Sequence, residues 1–336
     1  MFLLTQSNIE PLVATKDLKV IKVLRKGKYE DEGYTTPFQA FPVELGKTLV
    51  PSKGDEESQG VVCGYCGCRT QIGGGYIHAY MNLTNLILLE EDPGVIAVEA
   101  YIPKGTEYYI DLYLKEVCAK KLYITDRIIE LDEEMVDSGN RPLGPEETLD
   151  LIKPLVDGIP TDKVSPGWLY IPGKRLVHPN SMPRPDDLGG VVAYTDANNN
   201  IITILGLSQY FCDWYDAEDL CRTSPKYPKC EYPDEDFCIG RWELPSRETL
   251  QEAFSNNLMQ MNSALLATSG NIDRCLLDNT SNYWTSAERS FDHSWFCNTD
   301  YAYLGANNDI WCDCHMRPSI DLVRIASLCC GSRIKS

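Results

Sequence analysis

Gly240-Arg241-Trp242-Glu243-Leu244-Pro245-Ser246-Arg247-Glu248-Thr249-Leu250 is the stretch that decides how the second half of the chain is read. Trp242 and Leu244 alternate toward one face of a strand, and Pro245 lacks the amide hydrogen needed to continue it. The Ser246 hydroxyl can accept from the unpaired amides of a helix's first turn, so a helix is predicted from Arg247. Leu250, Phe254, Leu258, Met261 and Leu265 then recur at steps of three or four residues and form one apolar stripe that ends before Ser269-Gly270. The expectation is one main amphipathic helix packed on a sheet.

Working outward, Gly167 to Val177 reads as a hairpin turning at Pro172-Gly173. Gly189 to Tyr194 with Ile201 to Leu207 reads as another, turning through Asp196-Ala197-Asn198-Asn199-Asn200. The first part of the chain is strand-rich, with Leu18 to Leu24, Val95 to Ile102, Thr106 to Ile110 and Lys121 to Ile124 as strands. Pro103-Lys104-Gly105 suits a tight turn between two of them. From Leu131 to Gly167 acidic, Pro and Gly elements surround one short helical stretch, Pro145 to Lys153. At 336 residues the chain exceeds what one hydrophobic core usually supports. The fold class expected is α+β: a small N-terminal domain over residues 1 to 130, a linker over 131 to 165, and a second domain over 166 to 336.

With 49 acidic and 31 basic residues the net charge is -18, which repels phosphate backbones and anionic headgroups and argues against a nucleic-acid partner. The longest apolar runs, Leu83 to Leu89 and Val95 to Ile102, fall short of the roughly 20 residues that a membrane span needs. Met1-Phe2-Leu3-Leu4-Thr5-Gln6 has no basic region and Glu10 follows closely, so the start does not read as a secretory signal. Synthesis and retention in the cytoplasm are expected, and most of the 14 cysteines are then expected as thiols.

Three segments together resemble the C-type-lectin-fold family that includes formylglycine-generating-enzyme-like proteins and the variable proteins of diversity-generating retroelements. They are Gly190-Val191-Val192-Ala193-Tyr194 with its hairpin, the stretch Gly240 to Ser246, and Asn282-Tyr283-Trp284-Thr285-Ser286-Ala287-Glu288 followed by Ser294-Trp295, Arg317-Pro318 and Val323-Arg324-Ile325. The resemblance covers roughly residues 166 to 327. Glu243 departs from it, since members of the family often carry a basic residue there.

The resemblance implies a diversified ligand-binding segment near the C-terminal end, where mutation at adenines turns asparagine codons into codons for many residues, excluding Lys, Glu, Gln, Met and Trp. Between Arg289 and His315 every residue except Trp295 and Trp311 belongs to the reachable set. Trp295 is expected to be fixed scaffold, as are Tyr283 and Trp284. The implied binding residues are Arg289, Ser290, Phe291, Asp292, His293, Phe296, Asn298, Asp300, Tyr301, Tyr303, Asn307, Asn308, Asp309 and Trp311. Their aromatics supply rigid contact area and their Asn and Asp residues adaptable hydrogen bonds. Around Trp295, Phe296, Asn298 and Asp300 alternate with Cys297 and Thr299, the pattern of a strand with one face presented.

The family implies a phage receptor-binding or adhesion protein, a virion tail component present in several copies, whose partner is a protein or glycan receptor on a target cell. A thiolate nucleophile needs a nearby base or cation, and none is legible from the dispersed histidines His78, His178, His293 and His315, so neither enzyme activity nor a cofactor is expected. A static lectin-like or structural virion subunit is the alternative reading. A cysteine-dependent oxidase using Cys297 with Cys312 or Cys314 is a more remote one.

Other constellations are weaker. Cys63-Gly64-Tyr65-Cys66-Gly67-Cys68 has a zinc-knuckle spacing, but His78 stands alone and Cys118 is far along the chain, so no metal is assigned. Cys312-Asp313-Cys314-His315 and Cys329-Cys330 place neighbours on opposite strand faces. Cys212, Cys221, Cys230 and Cys238, with Asp213, Asp216, Glu218, Asp219, Asp234, Glu235 and Asp236, read as a solvated acidic loop whose spacing fixes no calcium site. Gly73-Gly74-Gly75 lacks the lysine of a phosphate-binding loop.

Overall fold

The computed structural model describes residues 3–6, 9–27, 33–37, 40–51, 59–61, 69–81, 94–129, 143–172, 175–199, 201–223, 237–239, 242–270, 282–290, 293–298, 303–306, 314–316 and 319–324. The architecture is mixed α+β and rich in strands. Two compact units divide the chain, Met1–Pro154 and Leu155–Ser336. Residues 131 to 142 of the stretch read as a linker lie outside the described residues. Its later part forms helix α1 (Pro145–Asp157), longer by a turn than the sequence pattern suggests.

The strands of the first unit begin with β1 (Leu3–Gln6), β2 (Leu12–Val13), β3 (Leu18–Lys26), β4 (Tyr34–Thr35), β5 (Pro42–Val43) and β6 (Thr48–Leu49). They continue with β7 (Gln59–Val61), β8 (Arg69–Ile72), β9 (Ile77–Tyr80), β10 (Val95–Ile102), β11 (Glu107–Ile110), β12 (Glu116–Ala119) and β13 (Leu122–Ile129). One sheet runs β2-β11-β12-β9-β3-β10-β13-β6, with β4 and β5 attached beside β3, and a second runs β1-β8-β7. The central pair, β3 and β10, is built mainly from Val, Ile, Leu and Ala, residues that suit a pleat buried on both faces. Val20, Ile21, Leu24, Ala97, Val98, Ala100 and Ile102 are fully buried. Between β10 and β11 the amide of Thr106 donates to the Pro103 carbonyl at 3.1 Å. Gly105 takes φ +79°, the left-handed conformation that this turn requires.

The second unit contains β14 (Leu169–Ile171), β15 (Arg175–Val177), β16 (Gly190–Thr195), β17 (Ile201–Gly206), β18 (Tyr210–Cys212) and β19 (Phe237–Ile239). Then follow β20 (Asn282–Ser290), β21 (His293–Asn298), β22 (Tyr303–Ala306), β23 (Cys314–Met316) and β24 (Ser319–Arg324). Both predicted hairpins form, β14 with β15 and β16 with β17. The second closes as its sequence suggests: the Ile201 amide donates to Asp196 Oδ1 at 2.8 Å, and Asn199 takes φ +53°. The sheet runs β15-β14-β16-β17-β24-β19, so the last described strand returns beside the second hairpin. On one side Tyr170, Leu176, Val192, Ile202, Ile204 and Trp242 form its core.

Trp242 and Leu244 are buried and Glu243 between them is exposed, as the alternation requires. Ser246 caps helix α3 (Arg247–Asn256): its hydroxyl accepts from the Thr249 amide at 3.1 Å. The expectation of one main helix is corrected here. The apolar stripe is carried by two helices, α3 and α4 (Leu258–Ser269), which meet at Asn257 with φ -118°. The cause is tertiary: Asn257 Nδ2 donates to the Ala193 carbonyl at 2.8 Å, where the β16–β17 register shifts between Val192 and Tyr194. A carbonyl at a bulge thus finds its donor in the helix break. Gly270, at φ +60°, ends α4 where the sequence places the stop.

A further correction concerns the acidic stretch after Cys212. Trp214–Thr223 is helix α2, not loop. Asp213 caps it by accepting from the Asp216 amide at 2.8 Å, while Trp214, Ala217 and Cys221 turn inward onto Leu244 and Trp284.

Candidate functional site

The site is built on a five-stranded sheet of order β18-β23-β20-β21-β22. Its fixed part is Tyr283 and Trp284, both fully buried, as expected for scaffold. Tyr283 packs on Phe254 of α3 with ring centroids 5.4 Å apart, and its hydroxyl donates to Gln209 Oε1 at 2.7 Å. Trp284 sits in the cluster of Trp214, Ala217, Cys221 and Leu244, and its indole donates to the Cys212 carbonyl at 2.9 Å. Neighbouring residues on β20 are therefore clamped from opposite sides.

β20 is not a regular strand. Trp284 pairs with Phe296 and Glu288 with Ser294, so four steps on β20 match two on β21, and the register shifts again before Ser290. Backbone groups released by these irregularities are taken up elsewhere. The Thr285 carbonyl accepts from the Trp214 indole at 2.9 Å, and the Ser286 amide donates to the Pro245 carbonyl at 2.9 Å. Such bulges bend and twist a strand and re-aim the residues beyond it.

The segment Arg289 to His315 supplies the end of β20, all of β21 and β22, and the first two residues of β23. Arg289 and Ser290 end β20, His293, Phe296 and Asn298 lie on β21, and Tyr303 begins β22. Phe291, Asp292, Asp300, Tyr301, Asn307, Asn308, Asp309 and Trp311 lie outside the described residues. Register sorts the strand positions into two sets. Phe296 pairs with Trp284 and Gly305, and Asn298 pairs with Asn282 and Tyr303. Cys297 pairs with Tyr283 and Leu304, and Trp295 with Ala306. Because facing residues share a face, positions 296, 298 and 303 belong to the Trp284 face, and 295, 297 and 304 to the Tyr283 face. Helix α3 packs across β20, β21 and β22, and α2 lies against β18 and β20.

In the first unit a group of ionisable residues is brought together that sequence distance conceals. His78, read as standing alone, pairs by register with Cys118 across β9 and β12, forty residues apart. Neither ring nitrogen of His78 has a hydrogen-bond partner, and burial, then the Lys22 charge, pushes its pKa down to about 4. The Lys22 ammonium donates to the His78 carbonyl at 2.6 Å, and burial lowers its pKa to about 8. Burial raises Asp111 to about 6 against the pull of backbone donors from Lys115 and Glu116. Burial and the Asp111 charge raise Glu116 to about 7. Cys63, Cys66 and Cys68 lie outside the described residues, as do Cys312, Asp313 and Cys329-Cys330.

No family model matches the chain. No curated protein matches it. Among solved structures it is similar to a fimbrial protein from Bacteroides ovatus ATCC 8483, with 9% identity over 92% of this chain and 71% of that one and a TM-score of 0.30, too slight a likeness to define a shared fold. No helix among the described residues is long and apolar enough to cross a membrane.

Proposed function

We propose that the second unit is a C-type-lectin-like binding domain that presents the Arg289 to His315 segment to a protein or glycan receptor on a target cell surface. The carrying observation is the split register of β20 to β22: one set of positions shares the face of Tyr283, which α3 braces, and the other, which holds Phe296, Asn298 and Tyr303, shares the face of Trp284, which packs on α2. A surface arranged so can change residues on one face without repacking the other. On this reading the chain binds without turnover or cofactor, as a receptor-binding virion component, and several copies on one particle add avidity.

The test uses the full chain against a glycan array and a panel of intact bacterial cells. If these positions are presented to the receptor, replacing Phe296, Asn298 and Tyr303 together by Ala should shift the melting temperature by no more than about 2 °C and change the binding pattern. Trp295→Ala should lower melting strongly. If the triple variant melts like Trp295→Ala, or binds as the unaltered chain does, the reading fails. Diversification has its own test in the encoding DNA: a nearby near-copy of the segment for Asn282 to Ile325, differing only where the copy has adenine, beside a reverse transcriptase gene.

A further inference from the structure

Cys212 and Cys314 face each other on adjacent antiparallel strands, β18 and β23, although a hundred residues separate them in sequence. Facing residues on such strands have Cα atoms about 4.5 or 5.5 Å apart, depending on the hydrogen-bonding phase. Both values fall within the roughly 4.4–6.8 Å that a disulfide spans. We propose that these two thiols form a cross-strand disulfide when the chain meets a disulfide oxidant, stapling the edge strand β18 to β23.

Two observations support this beyond the pairing itself. Cys212 is a thiol and half-buried, whereas Cys118 and Cys221 are buried away from an attacking oxidant. Its backbone is held in place: the Trp284 indole binds its carbonyl at 2.9 Å, and α2, capped by Asp213, begins immediately after it. Cys314 begins β23, whose Cys314–Met316 pairs residue by residue with Tyr210–Cys212. The closed loop of about a hundred residues is of the long kind whose closure most restricts the unfolded chain.

The chemistry balances with oxidised glutathione as oxidant. The Cys212 thiolate attacks one glutathione sulfur, forming a mixed disulfide and releasing one glutathione thiolate. The Cys314 thiolate then attacks the Cys212 sulfur of the mixed disulfide and displaces the second. Two protein thiols are oxidised, one glutathione disulfide is reduced, and the two protons pass to the two glutathione thiols.

The experiment compares the full chain equilibrated with oxidised glutathione and with dithiothreitol, by residue-level mass-spectrometric mapping of disulfides and by thermal melting. The expected result is a Cys212–Cys314 link and a melting temperature of the second unit higher by about 5–15 °C. Cys221→Ser should retain both and Cys314→Ser should lose both. Mapping of the unaltered chain decides the pairing even if a variant folds poorly. A link from Cys212 to Cys221 or Cys312, a Cys212 that stays alkylatable after oxidation, or a Cys212–Cys314 link without a rise in melting overturns the proposal.

Discussion

β3 with β10 in the first unit and β20 with β21 in the second are both antiparallel pairs, yet different interactions hold them. From Val95 opposite Arg25 to Ile102 opposite Leu18, β3 and β10 pair without a shift, and their small and branched side chains are buried on both faces. The ladder's own hydrogen bonds and the covering layers specify that register. β20 and β21 slip twice, and what fixes them is two indoles reaching backbone, Trp214 to the Thr285 carbonyl and Trp284 to the Cys212 carbonyl, together with one backbone bond from the Ser286 amide to the Pro245 carbonyl. A regular ladder resists variation along its whole length. A bulged pair pinned at a few points can keep its shape while residues beyond the pins differ.

That contrast can be broken most directly at Trp284. Trp284→Ala should cost about 3–5 kcal/mol in urea denaturation of the second unit, since it removes a fully buried ring. Trp284→Phe, which keeps most of the volume but loses the bond to Cys212, should cost at least about 1 kcal/mol. If Phe were neutral, the indole bond would not be among the pins. In the β16–β17 ladder, where Gly190 pairs with Gly206 ahead of the shift at Val192, the weak point is steric. A Cβ on Gly190 would lie 2.5 Å from Ile204 Cγ2 and 2.6 Å from the Leu205 carbonyl oxygen, so Gly190→Ala should cost about 1–3 kcal/mol by the same assay.

The first unit should differ from the second in its response to pH. Asp111 and Glu116 have folded-state pKa values raised to about 6 and about 7, so their contribution is fully present below pH 4 and is lost as pH rises through those values. His78, lowered to about 4, works the other way: its contribution is present above about 6.5 and lost as pH falls toward 4. Glu116→Gln isolates the carboxylate. Relative to the unaltered chain, the variant should gain up to about 3 kcal/mol between pH 4.5 and 8 in urea midpoints measured across that range. A difference that does not change with pH would mean that Glu116 is not held protonated. The smallest effect is expected at the brace of the bulged sheet: Ser246→Ala should cost about 1 kcal/mol by loss of the α3 cap, read by thermal melting.

Much of this is legible residue by residue. The Pro245-Ser246 boundary marks the start of α3, Gly270 marks the end of α4, and Asp196 to Asn200 mark a hairpin, because each depends on hydrogen bonds and backbone angles within a few residues. α2 was less legible: the acids around Trp214 read as loop, although Asp213 ahead of Trp214, Ala217 and Cys221 at helical steps is a capping signal followed by an apolar stripe. The alternation around Trp295 indicated two sets of positions, and the strand pairing then assigned each set to Tyr283 or Trp284.

The amino-acid sequence by itself determined the strand-rich α+β character, the positions of the hairpins and helix starts, and the burial of Trp242, Leu244, Tyr283 and Trp284. Periodicity and capping are short-range consequences of backbone geometry and apolar burial. Only the tertiary structure decided that Asn257 breaks the long helix, that His78 faces Cys118, that Cys212 faces Cys314, and that β20 bulges onto Pro245 and Trp214. Each of these joins residues distant in the chain through one hydrogen bond or one register choice. Such a choice is settled by the packing of whole sheets and not by any local pattern.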